Sequence, residues 1–215
     1  MNATDNIATL TNNEKGLYEG NLTYYVRIIF NASNIHAGYH NLRHMLHVVW
    51  ACHEGCKFHK DELTPRRMRN LLIAAAFHDY NHRGMKSDDA DNIETAVTAL
   101  SVYLLEEDRP YQNDIVEILR STQYPHADLG GNISLEQSIL RDADMSQCFS
   151  PAWIGDIIGG MAEEMGVTPY TRLVQQLTFL EQVTFHSNFG KTTYGGLVEA
   201  KKNETIALIM IVNPF

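Results

Sequence analysis

LLIAAAFHDYNHRG, residues 71–84, decides how the rest of this chain is read. Seven apolar residues in a row leave no polar stripe, so a helix built on them is apolar all round and belongs at the centre of a bundle. Thr64 followed by Pro65 offers an N-cap and a favoured first position, and the spacing predicts a helix over 64–80. His78 and Asp79 then fall at its C-terminal end, inside the core. A buried carboxylate beside a buried imidazole is costly unless a salt bridge or a metal ion compensates. No Lys or Arg adjoins them before Arg83, so a metal ion is the first expectation: the imidazole offers a nitrogen, and the two carboxylate oxygens can reach different ions.

Helical periodicity continues on both sides, over about 21–31, 38–55, 88–107, 112–122, 134–148, 151–165, 168–188 and 195–212. Ser134 with Gln137 three residues on, and Thr168 before Pro169, mark two further helix starts. GLYEG, RGMKS, HADLGGN and NFGKTTYGG read as connections, and no alternating strand pattern, internal repeat or linker interrupts the helices. The expected fold class is therefore all-α, with residues 1–20 a tail or short helix and 21–215 a single domain. At 215 residues and 44% hydrophobic content the chain can bury one sizeable core without disulfide staples. Cys52 and Cys56 read as one turn apart on a helix, although C-x3-C with His59 also permits a zinc site.

A formal charge of −9, from 17 Lys+Arg against 26 Asp+Glu, disfavours non-specific binding to nucleic acid or to an anionic membrane. A phosphate-bearing substrate would need local cations, and ten histidines suggest bound metal as their source. The polar start MNATDNIATLTNNEKG lacks the pattern of a signal peptide, and IALIMIV at 206–212 is too short to span a bilayer. Both favour a cytoplasmic protein.

Two further clusters carry metal-ligating side chains. His40, His44 and His47, at spacings of four and three in the segment 38–55, share one helical face. Any one of them could be a hydrogen-bonded helix histidine, the reading preferred for His47. In SILRDADMSQCF the apolar positions Ile139, Leu140 and Met145 turn Asp144 inward and Arg141 and Asp142 outward. A solvated acidic face is the competing reading, and Asp142 is the reserve ligand.

The order His44, His78-Asp79, Asp144 resembles the H…HD…D signature of the HD superfamily of metal-dependent phosphohydrolases. YHNLRH at 39–44 is similar to the Y-H-N-x-x-H of class I 3',5'-cyclic nucleotide phosphodiesterases, HDYNHRG at 78–84 to their H-D-x-D-H-x-G, and ADMS at 143–146 to their A-D-L-S. STQYPH at 121–126 is a looser match, and the resemblance covers about residues 36–150. Asn81 departs from it by standing at an acidic position. Gln175, Gln176 and Phe179 are only candidates for a late Gln-x-x-Phe purine clamp, and SDDADNIETAV, with Asn92 and Glu94, is closer to bacterial HD hydrolases.

The resemblance implies an HD/PDEase-like helical bundle in which His44, His78, Asp79 and Asp144 hold the first of two divalent ions (Zn, Mg, Mn or Fe). Asp79 would bridge to the second. It further implies that His40 protonates the leaving oxygen and that His82 orients water or touches phosphate. Asn41, His126 and Glu94 are expected to contact substrate or to support those groups, Glu94 by holding His40 or a water; a surface role is the open alternative for His126 and Glu94. The implied activity is hydrolysis of a cyclic nucleotide or another small nucleotide or phosphoester, with no nucleic-acid or membrane partner. A di-iron oxygenase, drawing on His82 and His126, and a nucleotide-binding regulatory module without turnover are the alternatives.

Overall fold

Leu71, Leu72, Ile73, Ala74, Ala75, Ala76 and Phe77 are each at most 1% exposed, so the helix that carries them, Pro65–Phe77, is enclosed on every side from Met68 onward. The computed structural model describes residues 3–85, 87–125 and 133–212. Among these it is all-α, without strands: α1 Ala3–Asn12, α2 Thr23–Ile29, α3 Leu42–Phe58, α4 Pro65–Phe77, α5 Asp89–Tyr103, α6 Gln112–Arg120, α7 Leu135–Met145, α8 Met161–Met165, α9 Pro169–Gln182, α10 Asn188–Thr193 and α11 Val198–Val212. A π-helical segment, Ile154–Gly160, runs directly into α8. Helices α2, α3, α5, α6 and α7 all pack on α4, and its three consecutive alanines take little room beside them. A second, smaller apolar cluster, built on Trp153, Ile157, Leu173 and Leu180, joins the π segment to α9.

The expected helix starts are present. Thr64 Oγ1 accepts from Arg67 N, Thr168 Oγ1 accepts from Thr171 N, and Ser134 forms a complete capping box with Gln137. Other boundaries differ. α3 begins at Leu42, because the Asn41 side chain caps it by accepting from Arg43 N and His44 N; His40 therefore precedes the helix and does not share its face. Within the segment 1–20, the described residues are anchored, with Leu10 fully buried and the Tyr18 hydroxyl donating to Leu10 O. NFGKTTYGG, expected as a connection, contains α10, capped by Ser187, whereas HADLGGN lies outside the described residues. Cys52 and Cys56 are buried free thiols on α3. Both nitrogens of His59 are engaged elsewhere, Nδ1 with Glu62 and Nε2 with Phe189 N, so the helical reading of this pair holds. No described helix is long and apolar enough to cross a membrane.

One buried ion pair ties the first twenty residues to the centre. Asp108, fully buried, accepts from Tyr25 Oη at 2.6 Å, Arg66 Nη1 at 2.6 Å, and Arg69 Nε and Nη2 at 2.7 Å each. Arg69 Nη1 in turn donates to Glu19 O and Asn21 O. Although burial opposes the charge, the Arg69, Tyr25 and Arg66 hydrogen bonds hold the Asp108 carboxyl below its usual range. Removing one partner strands the other. Asp108→Ala is expected to cost about 3–5 kcal/mol in urea denaturation, and the joint change Asp108→Leu with Arg69→Met clearly less.

Candidate metal centre

His78 is the C-cap of α4, where the helix ladder has ended and the ring is free to turn back on it. Its Nδ1 donates to Ala75 O at 2.8 Å, which leaves Nε2 as a bare acceptor. His44 sits in the first turn of α3, with Nδ1 2.6 Å from Gln147 Oε1. Gln147 Nε2 donates to Asp156 Oδ2, so Gln147 Oε1 is the accepting end and the proton of His44 lies on Nδ1. The two Nε2 atoms face each other at 3.3 Å. Asp79 Oδ2 is 3.2 Å from one and 3.3 Å from the other, and Asp144 Oδ1, reaching in from α7, is 3.0 Å and 3.6 Å away.

This geometry brings acceptors together without a donor between them. Asp79 Oδ2 is buried with no hydrogen-bond partner. Donor atoms about 2.1 Å from one ion in tetrahedral or octahedral arrangement lie roughly 3.0–3.4 Å apart, close to the separations seen here. His44, His78 and Asp79 thus form a buried group that could hold a metal ion, and Asp144 stands at the same point. The electrostatics agree. Burial disfavours a charged His44, but the carboxylates of Asp144 and Asp79 beside it outweigh that and push the imidazole up to about 10. His78 is also raised, burial again being outweighed by Asp79. Asp79 is held well below the usual carboxylate range against its own burial, chiefly by the charges of His78 and His40. The cluster calls for a positive charge at its centre.

Beside it, His40 lies in the turn before α3. Its Nδ1 is 2.7 Å from Glu164 Oε2, and Glu164 Oε1 accepts from Tyr39 N at 2.6 Å and His40 N at 2.8 Å. Glu164, on α8, is the support expected from Glu94. Glu94 instead is exposed on α5 and binds Arg120 with both oxygens. The approach of Glu164 depends on two glycines: a Cβ on Gly38 would meet Gly160 O at 2.3 Å, and one on Gly160 would meet Gly38 O at 2.1 Å. The His40 ring stacks on His82, with centroids 3.8 Å apart and 16° between planes. His82 Nδ1 accepts from Gly84 N, and Nε2 lies 3.0 Å from Asn92 Nδ2 and 3.8 Å from Asp89 Oδ1. His82 therefore presents its ring face to His40.

The remaining candidates are placed as follows. Asn41 supports: besides capping α3, its Nδ2 donates to Ala37 O and Gly38 O. His47 Nε2 is 2.9 Å from Ser146 Oγ, and burial together with the His44 charge pushes its imidazole down to about 4, in keeping with a neutral helix histidine. Arg141 and Asp142, expected to face solvent, are buried. Asp142 accepts from His186 N, Ser187 N and Ser187 Oγ, anchoring the start of α10, and Arg141 Nε donates to Ser121 O. α7 packs on α3 and α4 on one side and on α10 on the other, so a face without apolar residues is still interior. His126 lies outside the described residues. Asn34 went unanticipated: its Nδ2 donates to both His40 O and Asp79 O, and its Oδ1 accepts from Asn81 N. Asn81, at positive φ of 59°, holds the same loop by accepting from Ser33 N.

A cavity of about 410 Å³ opens over the centre, with Asp79, Asp144, His40 and His82 in its polar wall and Ile157, Met161 and Phe179 in its apolar one. Arg172 and Gln176 of α9 also line it. No protein-family model, curated protein or solved structure matches the chain.

The raised His44 sets a pH signature for the metal-free protein. Its folded value, about 10, lies above the ordinary 6.5, so its stabilisation is complete below 6.5 and lost as pH rises through about 10. Chelated protein is expected to lose melting temperature over that window, and His44→Gln to flatten the loss. Added metal should remove the dependence and release protons on binding, measurable by calorimetry in buffers of different ionisation enthalpy.

Proposed function

We propose that this chain is a metal-dependent phosphohydrolase of the HD superfamily, acting as a phosphodiesterase on a cyclic nucleotide or another small nucleotide. The observation that carries the reading is the convergence of His44, His78, Asp79 and Asp144 at one point beneath a cavity that also presents a carboxylate-held histidine. Two divalent cations held there, Asp79 serving both, would supply charge to activate water and to bind the phosphoryl oxygens.

The chain's own residues divide the remaining work. Glu164 stays a carboxylate, because the His40 hydrogen bond and charge outweigh its burial. It fixes the His40 ring through Nδ1, which leaves Nε2 as the nitrogen that would pass a proton to the leaving oxygen. His82, stacked beneath, limits how far the ring can tilt. Ile157, Met161 and Phe179 offer an apolar wall for a flat base. The oxygenase alternative asks for histidine nitrogens around a second ion, and both nitrogens of His82 are engaged by Gly84, Asn92 and Asp89.

Purified protein loaded in turn with Mg, Mn, Zn or Fe and assayed on cyclic nucleotides, linear nucleotides and p-nitrophenyl phosphodiesters tests the proposal; no release of phosphate ester product under any of these conditions would sink it. His40→Ala is expected to keep its metal and to lose roughly 10²–10⁴-fold on substrates with poor leaving groups, with a smaller loss on p-nitrophenyl esters. Glu164→Gln should follow the same pattern more weakly. Asp79→Ala should lose metal and turnover together on every substrate, as shown by metal analysis beside the rates.

A further inference from the structure

Arg172 is buried without a counter-ion. It is 7% exposed, and among the described residues no carboxylate stands within ion-pair distance of its guanidinium. Its Nε donates to Met161 Sδ at 3.1 Å and its Nη2 to Gln176 Oε1 at 2.8 Å, both neutral acceptors, and no hydrogen bond engages Nη1. Arg69, another buried arginine, shows what compensation looks like: it chelates Asp108 with two nitrogens. Burial accordingly destabilises the charge on Arg172. The chain as a whole carries −9, so an unmatched interior cation is not explained by a shortage of acids.

A second observation points to the same place. Gln176, one turn further along α9, is fully buried, and its Nε2 has no acceptor among the described residues beyond a weak approach to the Cys148 thiol. Arg172 holds its oxygen, so the amide's donor end is left over. Both side chains line the cavity that holds Asp79 and Asp144. Those two carboxylates are matched by His44 and His78 and leave Arg172 uncompensated. Donors without acceptors, in a cavity wall, call for an acceptor from a ligand.

We infer that Arg172 and Gln176 form an anionic subsite, and that the substrate carries, besides the phosphoryl group attacked at the metal centre, a second anionic group, a carboxylate or another phosphate, that seats on the free donors of these two side chains. A neutral carbonyl would satisfy the hydrogen bonds but leave the buried charge unmatched. The inference deepens the phosphohydrolase reading and rests on it, and within that reading it favours a small nucleotide or phosphoester with a second anion over a simple 3',5'-cyclic nucleotide, whose one anionic group is the phosphodiester itself.

The test uses p-nitrophenyl phosphodiesters whose second ester arm ends in a carboxylate, in the matching methyl ester or in a phosphate, in graded arm lengths, with metal-loaded wild-type protein, Arg172→Met and Arg172→Lys. At the arm length that reaches α9, wild type is expected to favour an anionic tail over the methyl ester by about 10- to 100-fold in kcat/KM. The ratio should fall to about one in Arg172→Met and lie between in Arg172→Lys. Whether the carboxylate or the phosphate tail gives the larger ratio identifies the anion. A wild-type ratio near one at every length, or an unchanged ratio in Arg172→Met, would overturn the subsite. Calorimetric binding of the corresponding non-hydrolysable phosphonates separates the two claims. An Arg172-dependent preference without turnover of any ester keeps the subsite and ends the hydrolase reading; turnover without preference does the reverse.

Discussion

A carboxylate cannot sit at the end of an all-apolar helix, inside a protein, without positive charge nearby. That constraint acts at Asp79, and much of the surrounding structure answers to it. His44 and His78 present bare nitrogens at the same point because their other nitrogens are tied to Gln147 and to the carbonyl of Ala75. Asp144 adds a further anion from α7. In the absence of an ion, the histidines must take up protons to keep the cluster together, which is why both imidazoles titrate high. A divalent cation satisfies the same demand without protons, so fold stability and metal occupancy share one electrostatic origin.

What could be read along the chain were the features with a local cause. The apolar run 71–77, the caps at Thr64, Ser134 and Thr168, and the His-Asp pair at a helix end each announce themselves within a few residues. Asp144 was recognisable from its place in an apolar pattern, although the same pattern misplaced Arg141 and Asp142. Apolar periodicity marks a buried stripe only when the opposite face is solvated, and α7 has neighbours on both sides.

The supporting groups were not legible, because their causes are distant. Glu164 is 124 positions from His40, and nothing local distinguishes it from Glu163 beside it. Glu94 had the appropriate chemistry on a nearby helix, yet its partner Arg120 draws it to the surface. Asn34 acts through backbone groups, and Asn81 owes its place to a left-handed backbone angle; neither function leaves a spacing to read. Arg172 was missed because amphipathic patterns treat an arginine as an outward residue, and only the packing of α9 against the cavity shows that it is enclosed.

The π-helical segment and α8 together form an unbroken stretch, 154–165, that delivers two carboxylates. Asp156 orients Gln147 and thereby the His44 nitrogen that faces His78 and Asp79; Glu164 orients His40. A wider π turn between them sets the rotational phase at which both point at α3 and the turn before it, and the Gly38–Gly160 contact sets the height. One strut therefore carries two brackets. Deleting one residue among 157–160 would change the phase of Glu164 relative to Asp156, so the settings of His40 and His44 would be disturbed in one step, although the deletion touches neither histidine.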